Sequence, residues 1–345
     1  MNETHAQSGA GPPAGPVERW FLGLVPVHAM VLNRIILGGV LFLHAAFRIP
    51  EFGVLYGGSS AAWSAPYRDF VRDMLAPQIP LPLLPVVSLL AKLEPEPRQL
   101  LLLGLYAGLL VSSLAFALGL RTRAAGWLCL ALHLLFYAIH PFADWSWARL
   151  VAPFTLYCIL SRAGDYASLD ARSRRRRGVA APSGGWVAAW PMRLLQIHVA
   201  AMYFHAGFAR IDDPGWLQGD VLYEALAQTL FSRFDLDLQL WRPALALLSR
   251  GVFLLEPAAA VLLWVPRART LCALALLGMH LVLELLTNVG WWNYVMFAGL
   301  LAFLPPGWLA ALLPGVPPGR AALGAAAQVG LQHGIRSQRV RSWNE

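Results

Sequence analysis

The fold class predicted by this chain of 345 residues is all-α, a polytopic transmembrane helical bundle of about eight spans with both termini on the cytoplasmic side. Composition is the first observation. Hydrophobic residues make up 57% and charged residues only 13%, with a mean hydropathy of +0.53, whereas a soluble domain carries about 25% charged residues. The second is the recurrence of long apolar runs, such as Leu100 to Leu120 with no charge, when a spanning helix needs about 20 such residues. The third is the placing of tryptophans (Trp145, Trp147, Trp186, Trp216, Trp291, Trp292) near the ends of those runs, where an amphipathic ring suits the membrane–water interface.

Taken in chain order, residues 1–20 lack the basic start, short apolar region and small-residue cleavage site of a signal peptide, and read as a disordered tail. A membrane domain follows over 21–312, with a cytoplasmic tail over 313–345. Within it, spans are expected at about 29–47, 99–120, 124–140, 146–161, 187–209, 243–265, 269–287 and 291–312. The apolar run Ile79 to Leu93 is proline-rich and short; it reads as a re-entrant or interfacial segment, and becomes a ninth span only if it crosses. Arg121, Arg123, the run Arg172 to Arg177, Arg267, Arg269, Arg336, Arg339 and Arg341 fall on one side if the N-terminus is inside. The loops Ala143 to Ser146 and Thr287 to Gly290 carry no arginine or lysine, so the positive-inside rule gives N-in and C-in.

The same distribution accounts for the net charge of +8 without nucleic acid as a partner, because the excess lies in loops and tails. All 27 basic residues are arginine except Lys92. Cys129, Cys158 and Cys272 stand in different apolar spans with no CxxC pair, against a disulfide framework or thiolate metal site.

An ionisable group in or at the mouth of a span is costly, and by default a hypothesis of function. Such groups concentrate in YFHAGFARIDDPGWLQGD, Tyr203 to Asp220. The predicted topology brings this stretch to the outer half together with the ends of spans 3 and 7. His205, Arg210, Asp212, Asp213, His140, Asp144, Arg149, Glu284, Asn288 and Asn293 would then surround an outward-facing polar pocket. His198 and His205, seven apart, share a helix face, where they would approach a substrate, ligate a metal or hydrogen-bond within the bundle. His280 and Glu284 are spaced i, i+4, but no HExxH accompanies them, and no metal is expected. Arg34 and Glu256 are buried charges expected to find partners inside the bundle. Arg174 to Arg177 read as a topology signal touching anionic lipid.

The order of features resembles the HTTM family, the membrane domain shared with vitamin K-dependent gamma-carboxylase. The residues that carry the resemblance are LNRIILGGVLFLHAAFR, FGVLYGG, CILSRAGDYASLD, RLLQIHVAAMYFHAGFARIDDPGWLQGDVLYEAL, LLEPAAAVLLWVP and GMHLVLELLTNVG, over roughly residues 25 to 305. It implies an integral multi-pass protein of a bacterial inner membrane. It also implies a reduced quinone as cofactor, oxygenated at the lumenal side to give the strong base that removes a proton from a peptide glutamate.

Where the family places the initiating lysine, after the alanine-glycine step, this chain has Arg210. Arginine keeps its proton in proteins, so full gamma-carboxylation is not expected. Nor is the family histidine evident in HPFADWSWARL, and the tail after Pro305 is short for the carboxylases' soluble domain.

Two readings remain. In one, an enzyme site acts on a quinone, lipid or membrane-associated peptide, with His205 or His140 as acid or base and Arg210 as anion clamp. Asp212, Asp213, Trp216, Asp144, Glu284 and Asn288 would then line the substrate. In the other, a non-catalytic protein assists maturation of a secreted peptide or partners a membrane protein, and Arg210 is a structural ion pair. No internal repeat favours a transporter.

Overall fold

The structure, a computed structural model, describes residues 15–75, 83–143, 147–179, 184–234 and 237–317. A helix answers to each expected span: α1 (His28–Phe47), α2 (Pro95–Leu118), α3 (Thr122–Ile139), α4 (Trp147–Leu160), α5 (Trp190–Ala209), α6 (Leu238–Leu262), α7 (Arg269–Leu286) and α8 (Trp292–Leu300). Five of these (α1, α2, α3, α6 and α7) are long and apolar enough to cross a bilayer. The helices α4 and α8 are apolar but shorter. The 20-residue α5 carries Arg193, Gln196, His198 and His205.

Local chemistry sets the boundaries. Helix α2 starts at Pro95, whose missing N–H costs nothing in the first turn, and stops at Gly119. There φ is +70°, and the Leu120 amide bonds to the Ala115 carbonyl at 2.8 Å. The expected span 291–312 is broken: α8 passes into a tight turn over Leu301–Phe303, and Leu304 is extended before Pro305, because the proline ring disfavours helical backbone in the residue before it. A short helix, Pro306–Ala311, follows. The described part of the Ile79–Leu93 segment holds one helix, Leu83–Leu90, of 8 residues, less than half of what a crossing needs.

Two details depart from expectation. The segment assigned to a tail through residue 20 ends in a helix, Pro16–Leu22, opened by Pro16 and by Glu18 in its first turn. Trp20 anchors it, edge-on to Trp264 with centroids 5.8 Å apart and beneath the Arg193 guanidinium at 5.0 Å. The all-α bundle also contains two three-residue strands, β1 (Leu24–Pro26) and β2 (Trp186–Ala188), paired antiparallel. They tie the start of α1 to the start of α5, and are too short for a period-2 pattern to show.

Helix α1 lies at the centre, against α2, α4 and α8, while α5 packs on α4, α6 and α8. Gly38 abuts Ala117, and the Tyr106 hydroxyl donates to the Ala45 carbonyl at 2.7 Å, so α1 and α2 run antiparallel. Helices α6 and α7 are peripheral: their apolar windows are 22% buried, against 56% for α1 and 67% for α3. Leu240, Leu247, Leu254 and Val261, seven apart, leave an exposed apolar stripe along α6 suited to lipid.

The fully buried Arg34 has no carboxylate partner among the described residues. Its guanidinium donates to the carbonyls of Ala163, Tyr166 and Ala167, the last at 2.6 Å. The turn after α4 is thereby bound to α1.

Candidate functional site

At the end of the bundle where α1, α3, α5 and α7 finish and α4, α6 and α8 begin, the described residues enclose a cavity of about 640 Å³. Its walls come from the end of α1 (His44, Phe47, Arg48, with Glu51 beyond), Trp147 at the start of α4, Leu230 and Phe231, and the α7–α8 turn from Asn288 to Asn293. Aromatic rings dominate. His44 meets Trp147 edge-on with centroids 4.5 Å apart and Trp291 at 6.2 Å, and Phe47 stacks on Trp291 at 6.1 Å.

The α7–α8 turn is sharp because Gly290 takes φ +67°, a conformation open to glycine at little cost. The chain therefore returns along α7 and places Asn293, on the first turn of α8, beside residues one helical turn apart on α7. Asn293 donates through Nδ2 to Glu284 at 3.0 Å and accepts through Oδ1 from His280 Nδ1 at 2.9 Å. The carboxylate takes only hydrogens, which fixes the amide orientation and requires the proton on His280 Nδ1. His280 Nε2 is then the acceptor for the Tyr203 hydroxyl, 2.9 Å away.

Glu284 also accepts from the Tyr294 hydroxyl at 3.0 Å and from Arg233 at 2.7 Å. Arg233 is delivered by the segment before α6: its amide bonds to the Leu286 carbonyl at 3.1 Å, its Nε to the Thr287 carbonyl at 2.7 Å, and Phe231 O receives the Asn288 amide at 2.7 Å. The terminal carbonyls of α7 thus gain donors and a favourable cation. A continuous polar chain runs Tyr203–His280–Asn293–Glu284–Arg233, with Tyr203, His280 and Asn293 each at most 3% exposed, and it meets the cavity at Asn293.

The residues expected to form one outer pocket divide among several surroundings. Asn288 lines the cavity, and Glu284 is joined to it through Asn293. Arg210 lies instead at the α5–α6 contact, ion-paired with Glu256 and stacked over the Trp216 ring at 4.2 Å. This contact is close because Gly207 has no side chain; a Cβ there would stand 2.7 Å from Pro257 Cδ.

Asp212 is exposed, and Asp213 caps the short helix Pro214–Gln218 by accepting from the Gly215 amide at 3.0 Å. His205 is exposed on the outer face of α5 beside Phe204 and Phe208, whereas His198 is half-buried with the Tyr157 hydroxyl 3.3 Å from Nδ1. His140 packs near Tyr67, centroids 5.3 Å apart. Neither His140, His205 nor Arg210 borders the cavity. Asp144 lies outside the described residues. No group of three His, Cys, Asp or Glu side chains disposed to hold a metal occurs among the described residues.

Sequence reasoning missed His44, Trp147 and Trp291 as walls, and Arg233 and Tyr294 as partners of Glu284. The available signal was, for His44, a lone histidine in LFLHAAF, a polar group within an apolar run.

Compared with known proteins, residues 86–308 match the HTTM domain. The chain belongs to the HTTM domain family. The HTTM match runs from the helix before α2 through α8, and so includes the whole polar chain, while the cavity wall from His44 to Glu51 precedes it. No curated protein and no solved structure was found to match this HTTM chain.

Proposed function

We propose that this HTTM protein crosses the membrane eight times, N-in and C-in, and that its outer-end cavity binds a flat, amphipathic ligand of the quinone class. The observation that carries this reading is the cavity of about 640 Å³ between Phe47, Trp147, Trp291 and Trp292, with Asn293 joining it to a buried polar chain. The volume falls within the roughly 300–1,000 Å³ of small-molecule sites, which are mostly apolar with a few placed polar groups. The topology is supported by the densest run of arginines, Arg172 and Arg174 to Arg177, lying with Arg121, Arg123, Arg162, Arg267 and Arg269 at the opposite end.

The residues present suit a quinone. Indole and phenyl faces would stack on its ring, and His44, Asn288 or Asn293 would hydrogen-bond its oxygens. A bound reduced quinone would supply electrons and protons. The chain's contribution is to orient the ring, exclude water and hold the proton of His280 on Nδ1. Gamma-carboxylation is not part of the proposal, because Arg210 is committed to Glu256 and stays protonated.

The test is mass spectrometry of small molecules extracted from the detergent-purified full chain. Wild type and Arg210→Lys should retain a quinone that Val289→Trp, which fills the cavity, has lost. No enrichment in wild type, or equal retention in Val289→Trp, overturns the reading and moves weight to a non-catalytic maturation or partner role, pursued by pull-down of a secreted peptide.

A further inference from the structure

At the opposite end of the bundle a second cavity, of about 700 Å³, lies between the start of α3, the end of α4 and the helix Leu169–Arg176. Arg121, Arg123, Arg162 and Arg174 border it, and so do only two carboxylates, Asp165 and Asp170. Both carboxylates are already engaged. Asp170 accepts from the Arg121 amide at 2.8 Å and from the Thr122 amide and hydroxyl at 2.9 Å, closing the N-terminus of α3. Asp165 is shared between Arg162 Nε at 2.9 Å and Arg174 Nη2 at 3.6 Å. The exposed guanidinium groups of Arg121 and Arg123 have no carboxylate within 4.0 Å among the described residues, so the groove carries an uncompensated positive charge.

From this groove an exposed apolar strip descends α3 through Ala124, Trp127, Leu128 and Ala131, with Trp127 and Leu128 about half exposed at 49% and 51%. The spacing i, i+3, i+4, i+7 keeps these residues on one face. Charge at the end of the bundle and a tryptophan-headed apolar track below it match the two halves of a phospholipid.

We propose that the groove formed by Arg121, Arg123, Arg162 and Arg174 binds the phosphate headgroup of an anionic phospholipid, with its acyl chains along Ala124, Trp127, Leu128 and Ala131. Guanidinium forks pair with phosphate oxygens in a bidentate manner, and the neighbouring track distinguishes a lipid from a free phosphate. The site rests on which groups share this end, and is independent of the ligand in the other cavity.

The full chain, reconstituted in nanodiscs of phosphatidylcholine with increasing phosphatidylglycerol, is examined for bound lipid by native mass spectrometry and for its unfolding midpoint. Wild type should retain phosphatidylglycerol selectively and be stabilised by it. At about 1 kcal/mol for each exposed guanidinium–phosphate pair lost, Arg121→Gln/Arg123→Gln should lose roughly 20-fold in apparent affinity. Arg176→Gln/Arg177→Gln, with the same change of charge outside the groove, should lose less than about threefold. If the first double variant does not fold, Arg123→Gln alone should lose about fivefold through its own phosphate pair. Equal losses in the two double variants, no preference for phosphatidylglycerol, or the same stabilisation by millimolar inorganic phosphate would overturn the proposal.

Discussion

The buried chain Tyr203–His280–Asn293–Glu284 makes Asn293 the residue whose replacement is most informative. Asn293→Leu nearly preserves shape and removes two hydrogen bonds, at 2.9 and 3.0 Å, from a fully buried side chain. Interhelical hydrogen bonds in membrane proteins average about 0.6 kcal/mol, so the two bonds alone set a floor near about 1 kcal/mol. The rest comes from what is left behind. His280 Nδ1–H becomes a buried donor without an acceptor, a cost of about 1–3 kcal/mol, whereas Glu284 keeps Arg233 and Tyr294 and is not stranded. The sum is a loss of about 2–4 kcal/mol. Unfolding of the full chain from mixed micelles by denaturant, followed through tryptophan fluorescence, reads it directly. His205→Leu is the internal control: His205 is exposed among apolar neighbours, so its change should stay within about 0.5 kcal/mol. If Asn293→Leu is as mild as His205→Leu, the polar chain holds nothing together.

Arg210→Ala should destabilise by about 3 kcal/mol, because it strands the buried Glu256; Arg210→Ala/Glu256→Gln should recover most of the loss in the same unfolding assay. Gly207→Ala should cost about 1–3 kcal/mol by forcing α5 from Pro257, read as a lowered denaturation midpoint with ligand retention intact. Burial alone would raise the Asp170 carboxyl, but hydrogen bonds from the Thr122 and Arg121 amides and the Thr122 hydroxyl outweigh it and hold the group below its ordinary value. Its contribution to stability is therefore present above the unfolded value of 3.8 and lost as pH falls through the lower folded value. Between pH 6 and pH 3, thermal unfolding of wild type should lose stability that Asp170→Asn never had; parallel profiles would show that the cap carries no such linkage.

The helices were legible because membrane spans are written in apolar length, and length survives folding: Leu100 to Leu120 announces α2 whatever it packs against. The polar partners were legible only as a set. Arg210, Glu256, His280, Glu284 and Asn293 all stand out against apolar sequence, but which meets which depends on helix rotation and crossing, and a weak amphipathic pattern does not fix these. His205 illustrates the limit. Seven residues from His198 it shares a face, yet the face turns outward at His205 while His198 finds Tyr157. Arg233 had no signal at all, since a loop arginine looks the same whether it faces water or, as here, closes the end of α7.

Arg210 shows how helix packing can dictate a charge. Gly207 brings α6 close, and Pro257 fills the gap it leaves. The next helical residue toward the α6 N-terminus, Glu256, then stands where the side chain at 210 must end, so a cation there is required by the buried carboxylate whatever the chemistry elsewhere. A lysine would meet that requirement and still be able to release a proton; arginine meets it and cannot. Trp216 over the guanidinium adds a contact suited to arginine's planar face. The charge is thereby fixed at the α5–α6 contact, outside the walls of the aromatic cavity. The polar side chains of that cavity are its own lining, His44, Arg48, Glu51, Asn288 and Asn293, and substitution at 210 should alter stability before it alters what the cavity holds.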